Sequence, residues 1–294
     1  MNEKLFTGAS TALITPFSGG KVDLDSFGRI MDLQLGAGIP ALTVCGTTGE
    51  SATLDDTEKL GLLSFAVSRA AGRARVIAGT GSNDTAHAVK LSQKAASLGC
   101  DALLVVTPYY NKASSEGLYR HYSEIAEATD LPLILYNVPS RTGLDAPVGI
   151  IKRLFDSGAV AAVKEASGNI SKSAELVSLC PALPVYSGND DAILPVLSLG
   201  GKGVISVLSN LIPAEVQGLC VDFFAGRTEE AAMRQARLYP LIRALFSAVN
   251  PIPVKYLMSR LGLCSAEYRL PMTPPEGDEK ALLDRIFEDY LRKR

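Results

Sequence analysis

A chain of 294 residues, 47% hydrophobic and 20% charged, is long enough to bury a sizeable core and has the make-up of a globular protein of one large α/β domain or two smaller ones. Its net charge of −2, with no long basic stripe, excludes nucleic acid as the main partner, and no apolar run is long enough to span a membrane. The five cysteines (Cys45, Cys100, Cys180, Cys220, Cys264) are widely separated and there are only two histidines, His87 and His121, which argues against a zinc site, a disulfide framework or a Ser-His-Asp triad. The opening stretch Met1–Gly8 lacks the charged-then-apolar pattern of a signal peptide, so the cytoplasm is the expected compartment.

Apolar, strand-like runs recur at Ala12–Ile14, Ala41–Cys45, Val76–Ala78, Ala102–Val106, Leu133–Tyr136, Val160–Val163, Pro184–Tyr186 and Gly203–Val207. Helical periodicity separates them, over Val22–Leu35, Leu54–Ala71, Thr85–Leu98, Ser115–Ala128, Ala146–Phe155, Lys172–Leu179 and Ala192–Leu199. Thr53-Leu54-Asp55-Asp56 reads as a capping box for the second of these, and Pro147 and Pro213 fall near helix starts. Eight strands alternating with helices predict an α/β fold, a closed parallel (β/α)8 TIM barrel, over residues 1–226. A doubly wound sheet should carry a phosphate fingerprint in its first β-turn-α unit, but the first strand ends Ile14-Thr15-Pro16-Phe17. The spacing in Gly36-Ala37-Gly38-Ile39-Pro40-Ala41 follows a helix and precedes a strand, the wrong context for nucleotide binding. After one further β-to-α step comes a C-terminal helical extension, residues 227–294, with helices at Glu229–Phe246, Val254–Leu261 and Glu279–Leu291. It is too short for an independent catalytic domain and is expected to pack on the barrel flank or on another subunit.

The site of such a barrel lies at the carboxyl ends of its strands. Those ends read Gly46-Thr47-Thr48-Gly49-Glu50-Ser51, Thr107-Pro108-Tyr109-Tyr110-Asn111, Tyr136-Asn137-Val138-Pro139-Ser140-Arg141-Thr142-Gly143, Lys164, Ser187-Gly188-Asn189-Asp190 and Ile205-Ser206. Lys164 closes the run Val-Ala-Ala-Val, where it is either a salt-bridged lysine with Glu165 nearby or a nucleophile. Burial favours the neutral amine that forms Schiff bases with carbonyl compounds, and lowering its pKa from ~10.4 to about 7–8 takes ~3–5 kcal/mol. Gly46–Gly49 is a tight turn that also suits a carboxylate, and Arg141, braced by proline and glycine, suits a second one. Tyr109 and Tyr110 place hydroxyls at the wet end of a strand. Asp190-Asp191 reads as a helix N-terminal pair rather than an acid/base dyad, and the two histidines read as surface or structural. With no metal or cofactor signature, a lysine, hydroxyl proton carriers and an anion fork describe imine chemistry on a small oxo-acid.

These residues resemble the pyruvate-dependent class I aldolases, the family of dihydrodipicolinate synthase and N-acetylneuraminate lyase. The resemblance runs from Phe6-Thr7-Gly8 to Leu270-Pro271-Met272-Thr273-Pro274. The Gly-Thr-Thr-Gly-Glu loop and the Lys164 strand mark the superfamily, and Tyr136–Gly143, with its arginine, looks like the synthase branch. The resemblance implies condensation of pyruvate with L-aspartate 4-semialdehyde through an imine on Lys164, with Tyr136 as acid/base and Thr47 as a relay hydroxyl. It further implies that Thr48 holds the pyruvate carboxylate, that Arg141 holds the semialdehyde carboxylate, and that Gly188 and Ile205 line the pocket. Tyr110 matches a relay tyrosine inserted from a neighbouring subunit, so the implied assembly is a homotetramer built from tight dimers. No cofactor is implied.

Ser51, Ala52, Asn83 and Tyr109 match a lysine-binding regulatory cleft of feedback-inhibited members. Asp56 and Lys59 stand here where sensitive members have histidines, and His87 where they have a glutamate, so weak or absent lysine inhibition is expected. Three other readings remain beside the synthase one. A sibling lyase acting on N-acetylneuraminate or a 2-keto-3-deoxy sugar acid would need hydroxyl-reading groups at Arg141. A catalytically idle oxo-acid-binding barrel would leave the lysine, tyrosines and threonines unused. A pyridoxal-phosphate enzyme would need a phosphate loop.

Overall fold

Eight parallel strands close into a barrel in which each strand pairs with its neighbours in the chain and the last with the first. They are β1 (Gly8–Ala12), β2 (Ala41–Val44), β3 (Arg75–Gly79), β4 (Ala102–Val106), β5 (Leu133–Asn137), β6 (Ala162–Glu165), β7 (Val185–Ser187) and β8 (Gly203–Ser206). This computed structural model describes residues 5–292; the first four residues of the opening stretch and the last two of the helical tail lie outside them. The expected TIM barrel is therefore present, with one strand displaced. β1 covers Gly-Ala-Ser-Thr-Ala, upstream of the apolar Ala12–Ile14. Its residues are all buried, but Ser10 and Thr11 spend their hydroxyls on Thr43 and Gln34, so the strand does not read as apolar.

Side-chain alternation along each strand divides two cores. Leu133, Leu135 and Val163 face the helices, whereas Ile134, Tyr136 and Ala162 fill the barrel with Ala41, Ala102 and Ile205. At the amino-terminal end the interior is plugged by Phe6 stacked on Tyr186, ring centres 4.3 Å apart, and the Tyr186 hydroxyl donates to the Phe6 carbonyl at 2.6 Å. Lys164 shares the inward parity of Ala162, and Glu165 the outward parity of Val163. The parity of one short strand thus decides that the lysine, not the glutamate, enters the barrel.

The barrel helices begin where side chains cap them. Asp23 accepts from Ser26 N ahead of Leu24–Gly36, Ser114 from Gly117 N ahead of Ser115–Glu127, and Asn169 from Ser171 N ahead of Ile170–Leu179. Asp56–Ala70 does open with a capping box, but it is Asp55 and Glu58 that exchange bonds, two residues later than the Thr53 reading.

After the helix Pro213–Phe224 come three more helices, Thr228–Leu245, Ile252–Arg260 and Gly277–Arg292. This segment does more than lie on the flank. Lys255 and Glu50, both fully buried, form an ion pair at 2.7 Å, Arg269 pairs with Glu58, and Asn250 bonds Thr48. The tail is stitched to the loop that follows β2 and to the first turn of the helix after it, at the carboxyl end of the barrel. Among the described residues no helix is long and apolar enough to cross a membrane.

Candidate active site

β5 and β6 carry the central pair. Tyr136 and Lys164 are register partners, and the lysine Nζ lies 4.2 Å from the centre of the tyrosine ring. Lys164 is 5% exposed. Burial pulls its amine from the ordinary 10.5 down to about 7; the Arg141 charge adds to this and the Asp190 charge opposes it. A large fraction of the amine is therefore neutral at physiological pH, which is what a nucleophile requires. Burial pushes the Tyr136 phenol upward, while a hydrogen bond with Thr47 and the Arg141 charge act the other way. The phenol stays protonated at neutral pH and sits next to the amine, as a general acid should.

The salt-bridged reading of Lys164 with Glu165 does not hold. Glu165 faces outward, where its carboxylate accepts from Asn137 Nδ2 and Ser167 N. Asn137 also donates to Asp145, which pairs with Lys172. This network ties the ends of β5 and β6 together behind the reactive pair. Asp190 and Asp191 do stand at the start of a helical turn, as read, and Asp190 does more than that. Asp190 begins the 3-10 turn Asp190–Ala192, and its carboxylate reaches across to accept from Ser206 Oγ at 2.5 Å and from the amides of Val207 and Leu208, both at 3.0 Å. It caps the chain leaving β8 and adds a buried negative charge on the lysine side.

Thr47 and Thr48 occupy a 3-10 turn, Thr47–Gly49, ended by Glu50 at φ +54°. That backbone conformation disfavours a side chain, and the buried ion pair with Lys255 holds it. Gly188 clears the space beside the lysine. A Cβ there would press into Ala166 and come within 3.1 Å of Lys164 Cε. Ile205 is fully buried in the barrel interior. Arg141 stands exposed on the helical turn Pro139–Thr142, its Nη2 donating to the Asn250 carbonyl at 3.0 Å. The fold brings Lys164, Tyr136, Thr47 and Arg141 together, with Thr48 alongside.

It does not bring Tyr110 with them. Tyr110 is 93% exposed, at φ +70°, in the loop after β4. The residues of the expected regulatory cleft do gather. Ser51, Ala52, Asn83 and Tyr109 line a cavity of about 540 Å³ whose wall also includes Thr47 and Arg141. Lys59 lines it too, and His87 Nε2 lies 3.0 Å from Asp56. His121 is structural, buried and bonded through Nδ1 to Thr85, and burial lowers it to about 4.

Sequence reasoning missed Asn250 and Lys255. Asn250 carries a weak signal, an Asn-Pro step between two helices, which marks a turn but says nothing of its partners. Among the described residues no group of three or more His, Cys, Asp or Glu side chains is placed to hold a metal ion.

The profile of the dihydrodipicolinate synthetase family matches residues 5–289. A 4-hydroxy-tetrahydrodipicolinate synthase of Caldicellulosiruptor bescii is 49% identical over 287 residues, covering 97% of each chain. Among solved structures, the 4-hydroxy-tetrahydrodipicolinate synthase of Methylacidiphilum fumariolicum SolV superimposes with a TM-score of 0.97 at 39% identity, over 98% of this chain and 97% of that one. A variant characterised as the first monomeric dihydrodipicolinate synthase superimposes at 0.95 with 41% identity, over 97% of both chains.

Proposed function

The chain belongs to the dihydrodipicolinate synthetase family, and from that premise we propose that it condenses pyruvate with L-aspartate 4-semialdehyde to 4-hydroxy-tetrahydrodipicolinate, in lysine biosynthesis through diaminopimelate. The observation that carries the reading is the buried Lys164 amine, drawn down to about 7 and set against the Tyr136 ring. The neutral amine adds to the pyruvate keto carbon, Tyr136 protonates the departing oxygen, and water leaves to give the imine. Loss of a methyl proton turns the imine into an enamine. Its terminal carbon forms the new bond to the semialdehyde carbon, whose oxygen becomes the hydroxyl. The amine of the semialdehyde then attacks the imine carbon, closes the ring and returns Lys164.

Thr48 serves the pyruvate carboxylate and Arg141 the semialdehyde carboxylate, for which a planar, permanently charged fork is suited. Gly188 leaves room for the bound keto acid, and Ile205 forms a wall of the pocket. Thr47 passes protons from Tyr136 toward Tyr110. Tyr110 lies outside its own chain's pocket and serves the site of a second copy, within a homotetramer of tight dimers. An engineered monomer should then lose most of its activity. Five buried free thiols suit the reducing cytoplasm. Lysine at the cleft near Ser51, Ala52, Asn83 and Tyr109 meets the Lys59 charge, and Asp56 is already engaged by His87, so strong feedback inhibition is not expected.

Side-by-side assays test the reading. Turnover of pyruvate with L-aspartate 4-semialdehyde, and none of N-acetylneuraminate, supports it; the reverse pattern overturns it.

A further inference from the structure

Asn250 lies in the turn between the helices Thr228–Leu245 and Ile252–Arg260, far along the chain from either acid-binding group, yet it touches both. Its side-chain Nδ2 donates to Thr48 Oγ1 at 3.0 Å, and its backbone carbonyl accepts from Arg141 Nη2 at 3.0 Å. It is 6% exposed, and its Oδ1 is buried with no partner among the described residues. A buried amide left half satisfied carries a desolvation cost that an aliphatic side chain filling the same space would avoid. Packing therefore does not account for the amide; its donor does.

The direction of that bond has a chemical consequence. A threonine hydroxyl that accepts from an amide keeps its own proton free to donate, and donation into its lone pair strengthens that proton as a donor. We propose that Asn250 is a positioning residue for both acid-binding groups, its side chain turning the Thr48 hydroxyl toward the carboxylate of the keto acid while its backbone carbonyl holds the Arg141 guanidinium for the second acid. The segment that carries it is fixed to the same loop by the fully buried Lys255–Glu50 pair, five residues further along the chain, and to the first turn of the next helix by Arg269 with Glu58. The helical extension thus sets the relation between the two carboxylate subsites and belongs to the specificity machinery.

The inference rests on the assignment of Thr48 to pyruvate, and its test separates the two. Asn250→Asp keeps the shape and the backbone carbonyl but replaces the donor by an anion; Asn250→Ala removes the amide. Binding is read as the pyruvate concentration that half-saturates borohydride trapping, and turnover as the KM for each substrate. The expected result is a rise of about tenfold or more in both pyruvate readings for Asn250→Asp, and of about fivefold for Asn250→Ala, with the semialdehyde KM within about twofold because the backbone bond to Arg141 survives. In a Thr48→Val background the same substitutions should add little, since the two side chains act as a unit. Equal changes in both KM values, or unchanged pyruvate readings with only a lowered melting temperature, overturn the inference and leave Asn250 a packing residue. If Asn250→Ala fails to fold, Asn250→Asp alone decides. Wild-type enzyme that traps no pyruvate overturns the functional reading and this inference together, whereas normal wild-type trapping with an unaltered Asn250→Asp variant overturns this inference only.

Discussion

Tyr136 and Lys164 face one another across adjacent strands, with the amine 4.2 Å from the ring centre. A phenol held this way by strand register would need no loop closure to serve the amine as a general acid. Tyr136→Phe keeps the ring and its packing and removes only the phenolic proton. It should fold normally and lose about 10²–10⁴-fold in kcat, with a smaller change in the pyruvate KM. Steady-state kinetics beside a thermal melt check this; a variant that keeps half its turnover would remove Tyr136 from the proton path.

The pH dependence follows from the lysine. An amine at about 7 is protonated below that pH, so kcat/KM for pyruvate should fall as pH drops through about 7 and flatten above it. Asp190→Asn removes a charge that favours the cation and should move the midpoint down; Arg141→Gln removes one that opposes it and should move the midpoint up. Stability moves in the window above it, between the folded and the ordinary value. Between pH 10.5 and 7 the unfolded lysine holds a proton that the folded one gives up, so the cost of burying it grows as pH falls through that range. Lys164→Met should therefore stabilise the fold at pH 7.5 by a few kcal/mol, about 1.4 kcal/mol for each unit by which the ordinary 10.5 exceeds the assay pH, read by denaturant unfolding.

The Glu50–Lys255 pair is fully buried. Removing one partner, as in Glu50→Gln or Lys255→Met, should cost about 3–5 kcal/mol because an uncompensated charge remains inside. Replacing both should cost less than the sum of the two. A double-mutant cycle in urea measures the difference, and strict additivity would show that the two charges are not coupled.

Subunit mixing tests the relay role proposed for Tyr110. Lys164→Met and Tyr110→Phe chains are each expected to be nearly inactive. If Tyr110 serves a partner's site, a hybrid dimer regains one intact site, and an equal mixture should recover about a quarter of wild-type activity on random pairing. No recovery on mixing, with hybrids demonstrated by mass, would place Tyr110 in its own chain's proton path.

The barrel was legible in the sequence because short apolar runs alternate with helical periods, and the strand ends then concentrated Lys164, Tyr136, Thr47 and Arg141 on one rim. The first strand was misplaced because its middle residues, Ser10 and Thr11, are polar groups satisfied by distant partners. Lys164 and Glu165 could not be separated by composition; strand parity separates them. Asn250 and Lys255 were invisible for a different reason. Their partners Thr48 and Glu50 lie 202 and 205 residues away, so no local pattern records the contact. The direction of Asp190's carboxylate is likewise a property of how β7 and β8 meet and not of its neighbours in the chain.

The central claim is a covalent bond between one lysine and pyruvate. Enzyme incubated with pyruvate, reduced with borohydride, digested and weighed by mass spectrometry should carry the reduced pyruvate adduct on the Lys164 peptide, and the Lys164→Met variant should carry none. An enzyme that turns over both substrates yet yields no adduct at Lys164, or carries it on another lysine, would contradict the account.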